Sequence, residues 1–127
     1  MRILAYGTLR EGDYNFTRMQ DNFGLDAIKK VGEIVLPYFK MYDLKWYPTI
    51  IATSDEKDTV TFDVLDVTEE CYRFINAMEL GAGYKEIAVE TQEYGKCLVY
   101  VYLKHYLNER TPVIESGDWF KHKQIEV

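Results

Sequence analysis

The spacing of hydrophobic residues changes along the chain, and each change marks an element. Residues 2–6, Arg-Ile-Leu-Ala-Tyr, form a short apolar run ended by Gly7, the pattern of a buried first strand. A strand that begins at residue 2 predicts a fold built around its own N-terminus. From Gly12 to Asn22 the chain is polar apart from Phe16 and Met19, three apart, which predicts a short helix or an irregular turn. Residues 31–43 and 49–53 are rich in β-branched and aromatic side chains, and Pro37 and Pro48 divide them into short or edge strands. Ser54 to Asp58 is a charged turn. Val60, Phe62, Val64, Leu65 and Val67 predict another strand, largely alternating.

The period then lengthens. Cys71, Phe74, Ile75 and Met78 fall at i, i+3, i+4 and i+7, one stripe of a helix. Asp66 or Thr68 can cap its start, Glu69 and Glu70 suit its first turn, and Gly81 and Gly83 end it. Strands return at Ile87 to Val89 and at Cys97 to Leu103. The tail carries Gly117-Asp118-Trp119-Phe120, a short helix or closing segment. This order predicts an α+β fold dominated by a mixed or antiparallel sheet, curled into a small β-barrel. With 127 residues and no repeat or linker, residues 1–127 are expected to make a single domain.

Composition narrows the function classes. A formal net charge of −6 and a pI near 4.9 argue against a surface that tracks phosphates, so no nucleic-acid partner is expected. Lys29-Lys30 and Lys121 to Lys123 read as solvated faces. Cys71 and Cys97 lack metal or redox spacing and read as reduced, buried thiols. His105 and His122 have no acidic or cysteine partner at ligand spacing, so no metal site is expected. No apolar run approaches the roughly 20 residues of a membrane span, and Met1-Arg2-Ile3 does not open a signal peptide. A cytoplasmic protein with no membrane partner is the expectation. The 11 tyrosines read as rings packed in strands with wet hydroxyls, or as the lining of a partly polar pocket.

Two features carry candidate chemistry. Counting in fours from Cys71 gives Ile75 and then Glu79, which places a carboxylate on the apolar stripe at the helix C-terminus. Burial and the helix dipole both raise a carboxyl pKa there, as a general acid–base requires. The competing reading is an ordinary last-turn glutamate pointing into water. The second feature is Tyr6-Gly7-Thr8-Leu9-Arg10. A strand stopping at Gly7 exposes the N–H groups of Thr8 and Leu9, a nest able to hold a carboxylate or oxyanion. Arg10 reads as a solvated surface residue rather than a substrate clamp.

Together these segments resemble the γ-glutamylcyclotransferase-like superfamily, in particular its γ-glutamylamine cyclotransferase and avirulence-induced-protein branch. The resemblance rests on Leu4-Ala5-Tyr6-Gly7-Thr8-Leu9-Arg10 with Gly12 and Asn15, on Tyr42-Asp43-Leu44 and Tyr47-Pro48, and on Ala77-Met78-Glu79-Leu80-Gly81 before Tyr84. It implies a small mixed β-barrel flanked by helices, with loop and glutamate facing each other across a cavity. It also implies an amide-cleaving, cyclising acyltransferase or lyase that releases 5-oxoproline from a γ-glutamyl amine or peptide without a cofactor. Carried over, Glu79 is the catalytic acid–base, and Tyr6, Gly7, Thr8, Leu9 and Tyr84 bind substrate. The chain departs from the family pattern at Thr61-Phe62-Asp63, where Phe62 either narrows the pocket or packs in the barrel. It departs again at Leu80, which replaces a glycine, and at Lys85. A non-catalytic binding or regulatory member and a related chemistry on a modified amine are the alternatives. The leaving amine and the oligomeric state are not legible in the sequence.

Overall fold

The computed structural model describes residues 1–126, with side chains through Gln124. Its elements are β1 (Arg2–Ala5), α1 (Tyr14–Phe23), β2 (Ile28–Pro37), β3 (Phe39–Asp43), β4 (Pro48–Ala52), β5 (Thr59–Val67), α2 (Glu69–Gly81), β6 (Lys85–Thr91), β7 (Gly95–Val101) and α3 (Trp119–Glu126). Five strands form one sheet in the order β2-β5-β1-β7-β6. Every pairing in it is antiparallel except β1 with β7, so the sheet is mixed, as the sequence predicts.

The N-terminal strand lies at the centre of this sheet and is covered on both faces. That is why its run is apolar without a break. Its alternation divides two cores. Leu4 and Tyr6 join Phe39, Ile50, Phe62, Val64, Val99 and Trp119 on one face. Ile3 and Ala5 join Phe16 and Met19 of α1 and Cys71 and Ile75 of α2 on the other. Phe62 is fully buried and packs edge-on against Tyr6 at 6.0 Å and Phe39 at 5.6 Å. It therefore packs in the core. Both cysteines are buried and free, and burial pushes both thiols up in pKa.

The sheet curls without closing into a complete barrel. β3 and β4 form a separate two-stranded sheet. Pro37 ends β2, and Tyr38 turns the chain with a left-handed φ of 71° before β3 begins. Backbone bonds join the hairpin to its surroundings: Phe39 N–H donates to Asp58 O at 3.4 Å, Tyr102 N–H to Ile50 O at 2.8 Å, and Asp43 N–H to Pro112 O and Ile114 N–H to Met41 O, each at 2.9 Å.

α2 begins at Thr68, whose hydroxyl accepts from Cys71 N–H at 3.3 Å; Asp66 instead pairs with Arg2. Of the stripe, Cys71 and Ile75 are buried, whereas Phe74 is 37% exposed and leans on Phe23 at 5.5 Å. At the other end Tyr84 N–H donates to Glu79 O and Gly83 N–H to Leu80 O, both at 3.1 Å, a Schellman cap. Gly83 permits it with φ 92°. Gly83→Ala is expected to cost about 1–2 kcal/mol in urea unfolding, because alanine is strained in that conformation.

Candidate functional site

The turn after β1 is built to leave backbone donors free. Arg10 N–H donates to Gly7 O at 3.0 Å, closing a four-residue turn with Thr8 and Leu9 at its centre. Among the described residues, the N–H groups of Thr8 and Leu9 donate to no protein acceptor. Thr8 itself is clamped to the start of α1. Its carbonyl accepts from Asn15 N–H at 2.9 Å and Phe16 N–H at 3.2 Å, donors that a helix start leaves without partners. Its hydroxyl accepts from Asn15 Nδ2 at 2.7 Å.

Gly7 has a different reason from backbone freedom. A Cβ there would lie 2.9 Å from Pro48 Cγ and 3.0 Å from Cδ, so the loop and the Pro48 ring meet where only glycine fits. Tyr47-Pro48 and the glycine loop are thus one contact seen from two places in the chain. Gly7→Ala is expected to push the loop off Pro48, costing about 1–3 kcal/mol of stability. It should also lower kcat/KM about tenfold to a hundredfold by misplacing the loop, as kinetics beside denaturant unfolding will show.

Arg10 corrects the expectation from sequence. It is only 3% exposed and lies beneath the loop. Its guanidinium donates to Asp118 Oδ1 at 3.0 Å and Asp63 Oδ1 at 3.2 Å, and stacks 4.2 Å from the Phe120 ring centroid. Asp63, wholly buried, also accepts from Glu11 N–H at 2.9 Å and pairs with Lys30 at 3.2 Å. Lys30 is therefore not simply a solvated face; Lys29 is one, paired with exposed Asp26. His122, whose partner is invisible in sequence spacing, meets Asp43 at 2.9 Å.

Tyr6, Gly7, Thr8, Leu9, Glu79 and Tyr84 all line one cavity of about 370 Å³, within the ordinary range for small-molecule sites. β1 contributes Ile3, Leu4 and Ala5 to its wall, α1 Tyr14 and Asn15, α2 Met78, and β7 Tyr100. Tyr14, Trp46, Tyr47, Met78 and Tyr100 were not singled out in the sequence as site residues. Of the lining residues, Asn15, Tyr47, Pro48 and Met78 belonged to the motifs without an assigned role.

Glu79 is half-buried, and among the described residues its carboxylate has no hydrogen bond or ion pair. Burial raises its pKa from 4.5 to about 7. Burial also pushes the phenols of Tyr6, Tyr84 and Tyr100 up, and the charge of Glu79 adds to each. All three stay protonated around an acid poised near neutrality. Each has a fixed place. Tyr6 Oη donates to Tyr100 O at 2.8 Å, and the Schellman cap ties Tyr84 to Glu79. Tyr100 Oη lies 2.9 Å from Asn76 Oδ1 and 3.1 Å from Glu86 Oε2, where Tyr72 also donates at 2.5 Å. The departures at Leu80 and Lys85 leave this arrangement alone, since both side chains are exposed.

A curled mixed sheet carrying a glycine loop opposite an acid on a capped helix defines a family. The chain belongs to the gamma-glutamyl cyclotransferase, AIG2-like family, whose model matches residues 3–121. It is 29% identical over 119 residues to a provisionally named gamma-glutamylcyclotransferase of Vibrio cholerae, covering 92% of this chain and 93% of that one. The crystal structure of the Pyrococcus horikoshii protein PH0828 superposes with a TM-score of 0.77 at 25% identity, over 99% of this chain and 95% of that one. A mouse AIG2-like protein shares the fold at a TM-score of 0.68 and 22% identity, over 90% and 85% of the two chains.

Proposed function

We propose that the protein is a γ-glutamylcyclotransferase that releases 5-oxoproline from a γ-glutamyl amine or peptide, with Glu79 as the general acid–base. The carrying observation is Glu79 itself: a carboxyl group half-buried, unpaired among the described residues and poised near pH 7, in the cavity that the Thr8 and Leu9 N–H groups also line. The family's description and the names of its relatives agree with this reaction class.

The reaction is an internal exchange. The substrate's α-amino nitrogen attacks its own γ-carbonyl carbon, the new C–N bond closes a five-membered ring, and the old bond to the leaving nitrogen breaks. The attacking nitrogen begins as an ammonium and ends as the ring N–H, so it gives up two protons, one to solvent as its lone pair is freed and one to the leaving nitrogen. No water, electron or protein nucleophile enters the balance. Both reacting groups belong to one molecule, so positioning supplies much of the acceleration. Ionised Glu79 takes a proton from the attacking nitrogen as the new bond forms and, once protonated, returns it to the leaving nitrogen. The Thr8 and Leu9 N–H groups hold the α-carboxylate or the carbonyl oxygen as charge develops. Tyr6 and Tyr84, kept neutral, shape the pocket around Glu79.

The test is 5-oxoproline release from γ-glutamyl dipeptides, γ-glutamyl amines and glutathione, wild type beside Glu79→Gln. Release by the wild type alone supports the reaction. Binding without release by either protein would replace it with a ligand-binding role for the same cavity.

A further inference from the structure

The mouth of the cavity is made of groups that ring closure does not use. Tyr14 is 70% exposed, Trp46 78% and Tyr47 44%, yet all three line the cavity that contains Glu79. They come from separate places, Tyr14 from the first turn of α1 and Trp46-Tyr47 from the connection between β3 and β4. Flat apolar faces left in water around a cavity entrance are a binding feature rather than a packing one.

Charge at this mouth is one-sided. Glu79 lines the cavity, but among the described residues no lysine or arginine does. Arg18 and Lys45, which touch lining residues, are themselves exposed and are not part of the lining. Arg18 contacts Met78 Sδ at 3.9 Å, and Lys45 lies 5.3 Å from the Trp46 ring centroid.

We infer that the leaving amine of the substrate carries a flat aromatic body and no carboxylate, and that Trp46 and Tyr14 select it. The inference rests on the cyclotransferase reading. With the γ-glutamyl end held by the Thr8–Leu9 turn beside Glu79, the R group of the departing R–NH2 extends toward the mouth. A leaving amino acid, or the cysteinylglycine of glutathione, would bring a second carboxylate beside Glu79 with no lining cation to receive it. On a chain of net charge −6 that placement is repulsive. An aromatic body stacks on Trp46 and Tyr14 instead. The departing amine, once it gains a further proton from solvent, is a cation that the same ring faces attract.

Three γ-glutamyl amides isolate the two variables: those of 2-phenylethylamine, of phenylalanine (the same ring plus a carboxylate) and of methylamine (neither). The phenylethyl amide is expected to exceed the phenylalanine amide at least tenfold in kcat/KM, with the methyl amide between them. Trp46→Ala, at an exposed position, should shrink the phenylethyl-to-methyl ratio several-fold through KM rather than kcat, and Tyr14→Ala should do the same. Equal or faster turnover of the phenylalanine amide or of glutathione overturns the inference, as does a ratio indifferent to both substitutions. Silence on every amide sinks the cyclotransferase reading separately. Calorimetric binding of the three amides to Glu79→Gln then still decides the preference, with equal affinities overturning it.

Discussion

Glu79→Gln is expected to cut 5-oxoproline release by about 10²–10⁴-fold while making the protein more stable above pH 7. The two effects share one cause. Burial raises the carboxyl pKa from 4.5 to about 7, so between those values the folded protein binds a proton that the unfolded chain does not. Stability therefore falls as pH rises through that window, and the loss is complete above the folded pKa. Each pKa unit corresponds to about 1.4 kcal/mol, and partial exposure of the site to solvent reduces the total to about 1–2 kcal/mol. Glutamine is uncharged at every pH and escapes this cost. Urea unfolding at pH 5 and pH 8 should show wild type losing stability between the two while Glu79→Gln holds level. In kinetics, kcat/KM of the wild type should climb through a limb near pH 7 as the base ionises, a limb Glu79→Gln lacks. Equal activity of the two proteins would remove Glu79 from the mechanism. A stability difference independent of pH would show that its carboxyl group is not held in the cavity as described.

Asp63→Ala is expected to destabilise the fold by about 3–5 kcal/mol, lowering Tm by roughly 10–20 °C. Asp63 is wholly buried and holds Arg10, Lys30 and the Glu11 N–H together. Deleting it leaves the buried Arg10 guanidinium with Asp118 at 3.0 Å and the half-exposed Glu33 at 3.8 Å, and with an Nε that has no hydrogen-bond partner among the described residues. Arg10→Ala should cost a similar amount by stranding Asp63 with Lys30. Because the cost is that of an uncompensated buried charge, the double variant Arg10→Met, Asp63→Leu should be less damaged than the sum of its parts. Strict additivity, read by thermal unfolding, would show that the two residues do not act as a pair. Loop position is affected as well. Arg10 and Glu11 directly follow Thr8 and Leu9, so a folded Asp63→Asn protein should show a raised KM.

What was legible in the sequence is what local spacing encodes. A short-period apolar run ended by glycine identifies β1, and the 3.6-residue stripe with Thr68 ahead and Gly83 behind identifies α2, because side-chain direction and capping are set within a few residues. The same counting puts Glu79 on the inner face of its helix. Spacing could not place Phe74, which sits at the border of the stripe where neighbouring α1 decides its exposure. Nor could it place Arg10. A lone arginine after a turn looks solvated until Asp63 and Asp118, 53 and 108 residues away, converge on it. Tyr100 reads as one more β-forming aromatic, and only the parallel pairing of β1 with β7 carries it to the cavity wall. The unclosed barrel, the Pro48 ring against Gly7, the His122–Asp43 pair and the aromatic mouth belong to the same class. Each depends on which distant segments the two-sided core brings into contact, and hydrophobic spacing along a chain carries the faces of its elements but not the partners those faces meet.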